Sequence, residues 1–135
     1  KGAMAARWQN FRELYNALLL CQFSPINMPS QVARLLNAIT GWNFDARTIM
    51  TTGERIFNLK RVINVKMGVT RADDKLPRIV LEPLKEGATQ GFSPDMETLL
   101  RGYYKERKWD WETGKPTKEK LEELGLSEII KDVWG

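Results

Sequence analysis

The run from Asp45 to Gly68 most narrows what this chain can fold into. Ile49, Ile56 and Ile63 recur every seven residues, and Met50, Phe57, Leu59 and Met67 widen the stripe they start. That spacing draws one apolar face along a helix, with Arg47, Glu54, Arg55, Lys60 and Lys66 mostly off it. Asp45 can accept from the first unpaired backbone N–H groups, and Gly68 can turn left-handed where the helix stops. Gly53 works against the pattern, because glycine inside a helix costs on the order of 1 kcal/mol relative to alanine. A neighbour pressed too close for any side chain would offset that cost. The expectation is a central helix, tightly packed at its middle.

On either side the pattern stays helical. Ala6 to Phe23 reads as a first helix with Trp8, Phe11, Tyr15, Leu18 and Leu19 on one face. Its last stretch, Ala17-Leu18-Leu19-Leu20-Cys21, is apolar on every side and predicts a turn buried all round. Pro25 and Pro29 then bar continuation. Ser30 caps a shorter helix through Val32, Leu35, Leu36 and Ile39, which Gly41 ends. Val69 to Gly91 has no helical period, and Arg78-Ile79-Val80-Leu81 reads as a short strand without a partner. Loops of this length are functional or lie over a neighbouring surface. Ser93 and Pro94 open the next helix, striped by Met96, Leu99, Leu100, Tyr103 and Tyr104. Thr117 starts a short helix that Gly125 ends, and Ser127 to Val133 is a last amphipathic piece. The reading is all-α, a multihelical orthogonal bundle with one long irregular loop. Residues 6–135 form one helical domain, and Lys1-Gly2-Ala3-Met4-Ala5 is taken as an appended artificial segment.

Composition removes several classes of function. No apolar run is long enough to span a bilayer, and one cysteine makes no internal disulfide, so a reducing cytoplasm is the default. The net charge of +4 comes from basic and acidic residues that alternate, as in Lys105-Glu106-Arg107-Lys108, with no basic block to hold nucleic acid. Histidine is absent, and with it the commonest general base and metal ligand.

Three features could carry chemistry. Cys21 is either a small buried hydrophobe or a thiolate ligand, and a single thiol cannot hold an iron–sulfur cluster by itself. Asp73 and Asp74 are either metal or acid–base carboxylates, or a turn with a solvated charge. Tyr103, Tyr104, Trp109 and Trp111 could stack nucleic-acid bases, although the helical spacing of Met96, Leu99 and Tyr103 favours core packing.

Three stretches go further. Thr52-Gly53-Glu54-Arg55-Ile56-Phe57-Asn58-Leu59-Lys60-Arg61 is followed by Asn64 and by Gly68-Val69-Thr70-Arg71-Ala72-Asp73-Asp74-Lys75-Leu76-Pro77. Then come Tyr103-Tyr104, Arg107, Trp109-Asp110, Thr113-Gly114-Lys115-Pro116 and Leu121-Glu122-Glu123-Leu124-Gly125-Leu126. In order and spacing these resemble the C-terminal helical domain of the tungsten-containing aldehyde ferredoxin oxidoreductase family, from about Phe11 to about Ile130. The resemblance implies a larger enzyme that oxidises aldehydes to carboxylic acids, with ferredoxin as acceptor. It implies a tungsten (or molybdenum) bis-pterin and a [4Fe–4S] cluster, with upstream domains of the same polypeptide as partners. The isolated piece would hold no cofactor and be inactive.

A family motif of the form DxxGLC supplies pterin contacts through its Asp and Leu, and the fourth cluster ligand through its Cys. It falls on Asn16-Ala17-Leu18-Leu19-Leu20-Cys21. The resemblance thus implies Asn16 and Leu20 as pterin contacts and Cys21 as the cluster's metal ligand. Asn16 replaces the carboxylate and Leu19 replaces the glycine. Two alternatives follow from these departures and from the shared scaffold: a helical interaction module that has lost its cofactors, or a related tungsten enzyme acting on aromatic thioesters.

Overall fold

The computed structural model describes the whole chain, Lys1–Gly135. It is all-α: seven helices and two short 3-10 turns, with only two isolated β-bridges and no sheet. The helices are α1 (Gly2–Ala17), α2 (Pro29–Thr40), α3 (Ala46–Lys66), α4 (Arg78–Leu81), α5 (Met96–Arg107), α6 (Lys118–Glu123) and α7 (Ile130–Trp134). No helix is long and apolar enough to cross a membrane.

The central helix α3 is where the sequence puts it. The Asp45 carboxylate accepts from the Thr48 N–H at 2.7 Å, and Gly68, with φ +94°, turns the chain away past the helix end. Gly53 is buried against α1, and a Cβ built on it would collide with the Asn10 carbonyl. The missing side chain is what lets α1 lie across the middle of α3.

The two ends of α3 serve separate cores. Ile49 joins Phe11, Leu14, Tyr15, Val32 and Ala33 in a cluster that ties α1, α2 and α3 together. Val62 joins Leu121, Leu124, Leu126 and Val133 in a second, which fastens α6 and α7 to the other end. The expected stripe therefore does not stay buried along its length. Ile49 is inside, but Ile63 and Met67 are exposed, because the later contacts of α3 come from α6 and α7 on the side of Val62. Between the two cores α3 buries polar residues, Asn58 and Arg61.

Helix α1 departs from expectation at both ends. It begins at Gly2 rather than Ala6, and Gly2 comes close to α5. A Cβ on Gly2 would stand 2.5 Å from the Tyr103 nitrogen. At the other end α1 stops at Ala17 rather than Phe23, and the turn expected to be buried is open: Leu19, Cys21 and Phe23 are all exposed.

Other local signals also resolve differently. Arg78–Leu81 is one helical turn, not a strand. Prolines bracket it: Pro77 sits at its N-cap, and the residue before Pro83 is forced into extended backbone (Glu82, ψ 125°). Ile79 and Val80 on this turn point into solvent. Helix α5 is capped by Asp95, which accepts from the Thr98 N–H at 3.0 Å, and not by Ser93, whose hydroxyl instead donates to the Leu81 carbonyl. Helix α2 begins one residue before Ser30, at Pro29, and Gln31 Oε1 accepts from the Asn27 and Met28 N–H groups.

Candidate functional site

The motif residues sit where α1 ends. Leu18 caps the helix, and Leu19 follows with φ +55°. The Leu20 N–H reaches back to the Tyr15 carbonyl at 2.9 Å, and the Leu19 N–H to Asn16 at 3.4 Å. These paired bonds make a Schellman stop, whose left-handed residue is usually glycine. The glycine of the DxxGLC pattern thus corresponds to a backbone position with a mechanical duty: it reverses the chain so that the next two residues leave the helix. Here leucine performs it. The left-handed state costs an L-residue roughly 1–2 kcal/mol, and Leu19 is 92% exposed, so no packing within the chain offsets the cost.

Leu19→Gly is therefore expected to stabilise the chain. The strain relieved is partly cancelled by about 0.4–1 kcal/mol for glycine's greater freedom when unfolded, leaving a gain of about 1 kcal/mol. Urea unfolding checks this, and a loss of similar size would contradict it.

The three residues named from the motif have different environments. Asn16, on the last turn of α1, is exposed; Leu20 is half-buried against the first core; Cys21 is a free, exposed thiol. The expectation of a buried small hydrophobe at Cys21 is overturned, because the left-handed residue turns the chain outward before the thiol is reached. A groove of about 630 Å³ opens against α2, with Pro25, Ile26, Leu35 and Ala38 among its walls.

Asp73 and Asp74 lie elsewhere and do not form a metal site; no group of three or more His, Cys, Asp or Glu side chains is arranged to hold an ion. Asp73 closes the 3-10 turn by accepting from the Thr70 N–H at 2.8 Å, which lowers its pKa. Asp74 receives both Arg61 Nη groups, at 2.8 and 2.7 Å, and accepts from the Tyr104 hydroxyl.

That pair is the centre of a buried knot which reading residue types along the chain missed. Arg61 also donates to the Gly114 carbonyl at 2.8 Å and lies 4.6 Å from the Trp109 ring centroid. The Trp109 indole N–H donates to Asn58 at 2.8 Å. Gly114, with φ +75°, must be glycine twice over, since a Cβ there would also strike Arg61. Next to it Arg107 is fully buried without a carboxylate partner. It donates to Asn10, Gln9 and the Ala6 carbonyl at 2.5, 2.8 and 3.1 Å and covers the Phe57 ring. The aromatics expected either to stack bases or to pack are packed: Tyr104 and Trp109 are buried, and Trp111 has Arg71 and Arg101 against its ring. The stretches that carry the family resemblance thus converge on one structural clamp, tying α1, α3, α5 and the 110–117 loop together. A signal was available in sequence: Asn58 and Arg61 fall on the same turns as the apolar stripe.

Burial and the hydrogen bond to Asp74 push the Tyr104 phenol well above the usual tyrosine range, and burial raises Tyr103 against the opposing charge of Arg107. Because these folded-state values lie above the unfolded one, their contribution to stability is complete below about pH 10 and is lost as pH rises beyond it. Alkaline titration followed by tyrosinate absorbance and circular dichroism should show Tyr103 and Tyr104 ionising only as the helices melt. Reversible ionisation of Tyr103 and Tyr104 near pH 10 with helicity intact would contradict it.

Fold and turn together define a helical domain that presents its single thiol at the surface. The chain belongs to the aldehyde ferredoxin oxidoreductase family: residues 1–126 match the family model described as aldehyde ferredoxin oxidoreductase, domains 2 & 3. It is 41% identical over 129 residues to a tungsten-containing aldehyde ferredoxin oxidoreductase of Pyrococcus furiosus, covering 93% of this chain and 21% of that protein. It is also 30% identical over 128 residues to an aliphatic sulfonate oxidoreductase, WOR-like subunit, of the same organism, covering 88% of this chain and 20% of the relative. In fold it resembles the active site complex BamBC of benzoyl coenzyme A reductase, with a TM-score of 0.75 at 24% identity over 94% of this chain and 20% of that one. The chain spans about one-fifth of the length of these relatives.

Proposed function

We propose that this chain is a helical domain of a larger oxidoreductase that converts aldehydes to carboxylic acids and passes the electrons to ferredoxin, with Cys21 as one ligand of its [4Fe–4S] cluster. The observation that carries this reading is the exposure of Cys21 just past a left-handed turn at Leu19, at the position where the family motif has its cysteine. The donor chemistry fits: thiolate is the ligand iron–sulfur clusters take, and an exposed sulfur with no ligating neighbours in its own chain is open to a centre completed by other segments. Asn16 and Leu20 would face a tungsten pterin, Asn16 through its amide and Leu20 through apolar contact. When bound, these groups supply two-electron oxidation of the aldehyde at the metal and one-electron transfer through the cluster. The chain's own part is to fix the thiol: the Schellman stop orients it, and the clamp on α1 and α3 holds the helix that carries it.

A family member acting on a substrate other than an aldehyde is the second reading, favoured by the relative named for an aliphatic sulfonate. Anaerobic purification of the full-length polypeptide, with metal analysis and a viologen-linked aldehyde assay, tests both. Tungsten or molybdenum with about four irons per chain and reduction of viologen by aldehydes is the expected result. Metals without aldehyde turnover would favour the second reading, and neither metal nor iron would leave an interaction module.

A further inference from the structure

A cleft lies between α1, α3 and α5, and the Cys21 turn supplies none of its walls. It has two chambers. The first, of about 310 Å³, has Phe57, Lys60, Asn64 and Asp74 in its walls. The second, of about 330 Å³, has Leu76 and Leu99, and is apolar apart from Lys1 and Gln9. Gln9, Leu100 and Tyr103 line both, so the chambers adjoin along the edge where the Tyr103 hydroxyl donates to Gln9. Each has the size of a small-molecule pocket, for which roughly 300 Å³ is the lower end.

The polar chamber is rich in donors. Phe57, Lys60 and Asn64 share one face of α3, since residues three and four apart are neighbours on a helix. The Lys60 ammonium is held 2.6 Å from an oxygen of Glu13, a carboxylate that is itself buried and outside the chamber walls. That contact spends one of the three N–H donors of the ammonium. Gln9 accepts through Oε1 from Tyr103 and Arg107, which leaves its NH2 group to donate. Asp74 also faces this chamber, but Arg61 and the Tyr104 hydroxyl engage both of its oxygens. Lys60 and Arg61 therefore stand against Asp74 alone, and the walls carry a positive excess.

We propose that this cleft binds a small amphipathic carboxylate. The head would take charge-assisted hydrogen bonds from Lys60, with the Asn64 and Gln9 amides beside it. The hydrocarbon tail would lie along Leu100 toward Leu76 and Leu99, where burial of its methylenes adds affinity.

Calorimetric titration of the full-length protein with octanoate tests this, with octylammonium as a cation of equal chain length. Wild type is expected to bind octanoate and to discriminate against octylammonium. Position 64 is exposed, so changing it leaves the fold intact, as circular dichroism would verify. Asn64→Asp places a like charge beside the head and is expected to weaken octanoate at least about tenfold. Asn64→Lys is expected to strengthen it, and Lys60→Met to weaken it. Because Lys60→Met also strands the Glu13 carboxylate, the two variants at position 64 decide. Equal affinity in both would place octanoate elsewhere on the protein and overturn the proposal. Equal binding of octylammonium would overturn the selection for an anion. No binding to wild type would mean that the rest of the polypeptide fills or closes the cleft, and would overturn the proposal outright.

Discussion

Replacing Gly53 by alanine is expected to destabilise the chain by about 2 kcal/mol, and by valine more. Two effects oppose each other at this position. Helix propensity alone favours alanine over glycine by about 1 kcal/mol, so an isolated α3 would become more stable. Against it stands the Asn10 carbonyl of α1, which occupies the place of the new Cβ. Overpacking typically costs about 1–3 kcal/mol and occasionally more, and here the obstacle is backbone that cannot rotate aside. Relief requires α1 and α3 to separate, which loosens the first core at Phe11, Leu14 and Ile49. The collision therefore wins. Chemical denaturation of the two variants decides it, and a gain of about 1 kcal/mol in the alanine variant would show that the helices are not in contact at that point.

Arg61→Met is expected to cost about 3–5 kcal/mol, the range for removing one partner of a buried ion pair. Arg61 is 6% exposed, and its loss leaves the Gly114 carbonyl without its donor and Asp74 without its cationic partner, with only the Tyr104 hydroxyl still donating to the carboxylate. The chief penalty is the carboxylate left in a half-buried site. Removing the charge at both positions, Arg61→Met with Asp74→Leu, is accordingly expected to cost less than the sum of the single changes. A double-mutant cycle by urea unfolding measures that coupling. Strict additivity would mean that the pair contributes nothing beyond separate hydrogen bonds. Since Asp74 is engaged in this pair, neither change should alter metal content in a full-length protein that still folds.

Local rules carried far where one residue and its neighbours decide the outcome. Asp45 as a cap, Gly41 as a left-handed stop, Thr117 as the start of α6 and a close approach at Gly53 all follow from sequence and hold in the structure. They fail where distant partners decide. Arg107 reads as one charge in a mixed run, yet it is buried because Asn10, 97 residues away, and Gln9, 98 away, accept its hydrogen bonds. Arg61 meets Gly114 across 53 residues. Composition also misjudged the end of α1. An apolar run reads as a buried helical turn, but a leucine holds the left-handed position that glycine normally signals, so no residue type marks the stop. Arg78–Leu81 failed for a different reason. Its β-branched residues favour a strand, but with no neighbouring strand to pair with, the flanking prolines leave a single helical turn. The candidate site was thus legible through resemblance more than through residue type.

The most direct measurement is the iron content of the full-length protein carrying Cys21→Ser, purified anaerobically beside the wild type. Because the thiol is exposed and contributes to neither core, the variant should fold with unchanged helicity and thermal stability of this domain. Iron is expected to fall from about four per chain to well below that, with the cluster's resonance lost or changed in shape. A Cys21→Ser protein with a full complement of iron and an unaltered spectrum would contradict the assignment of this thiol to the cluster.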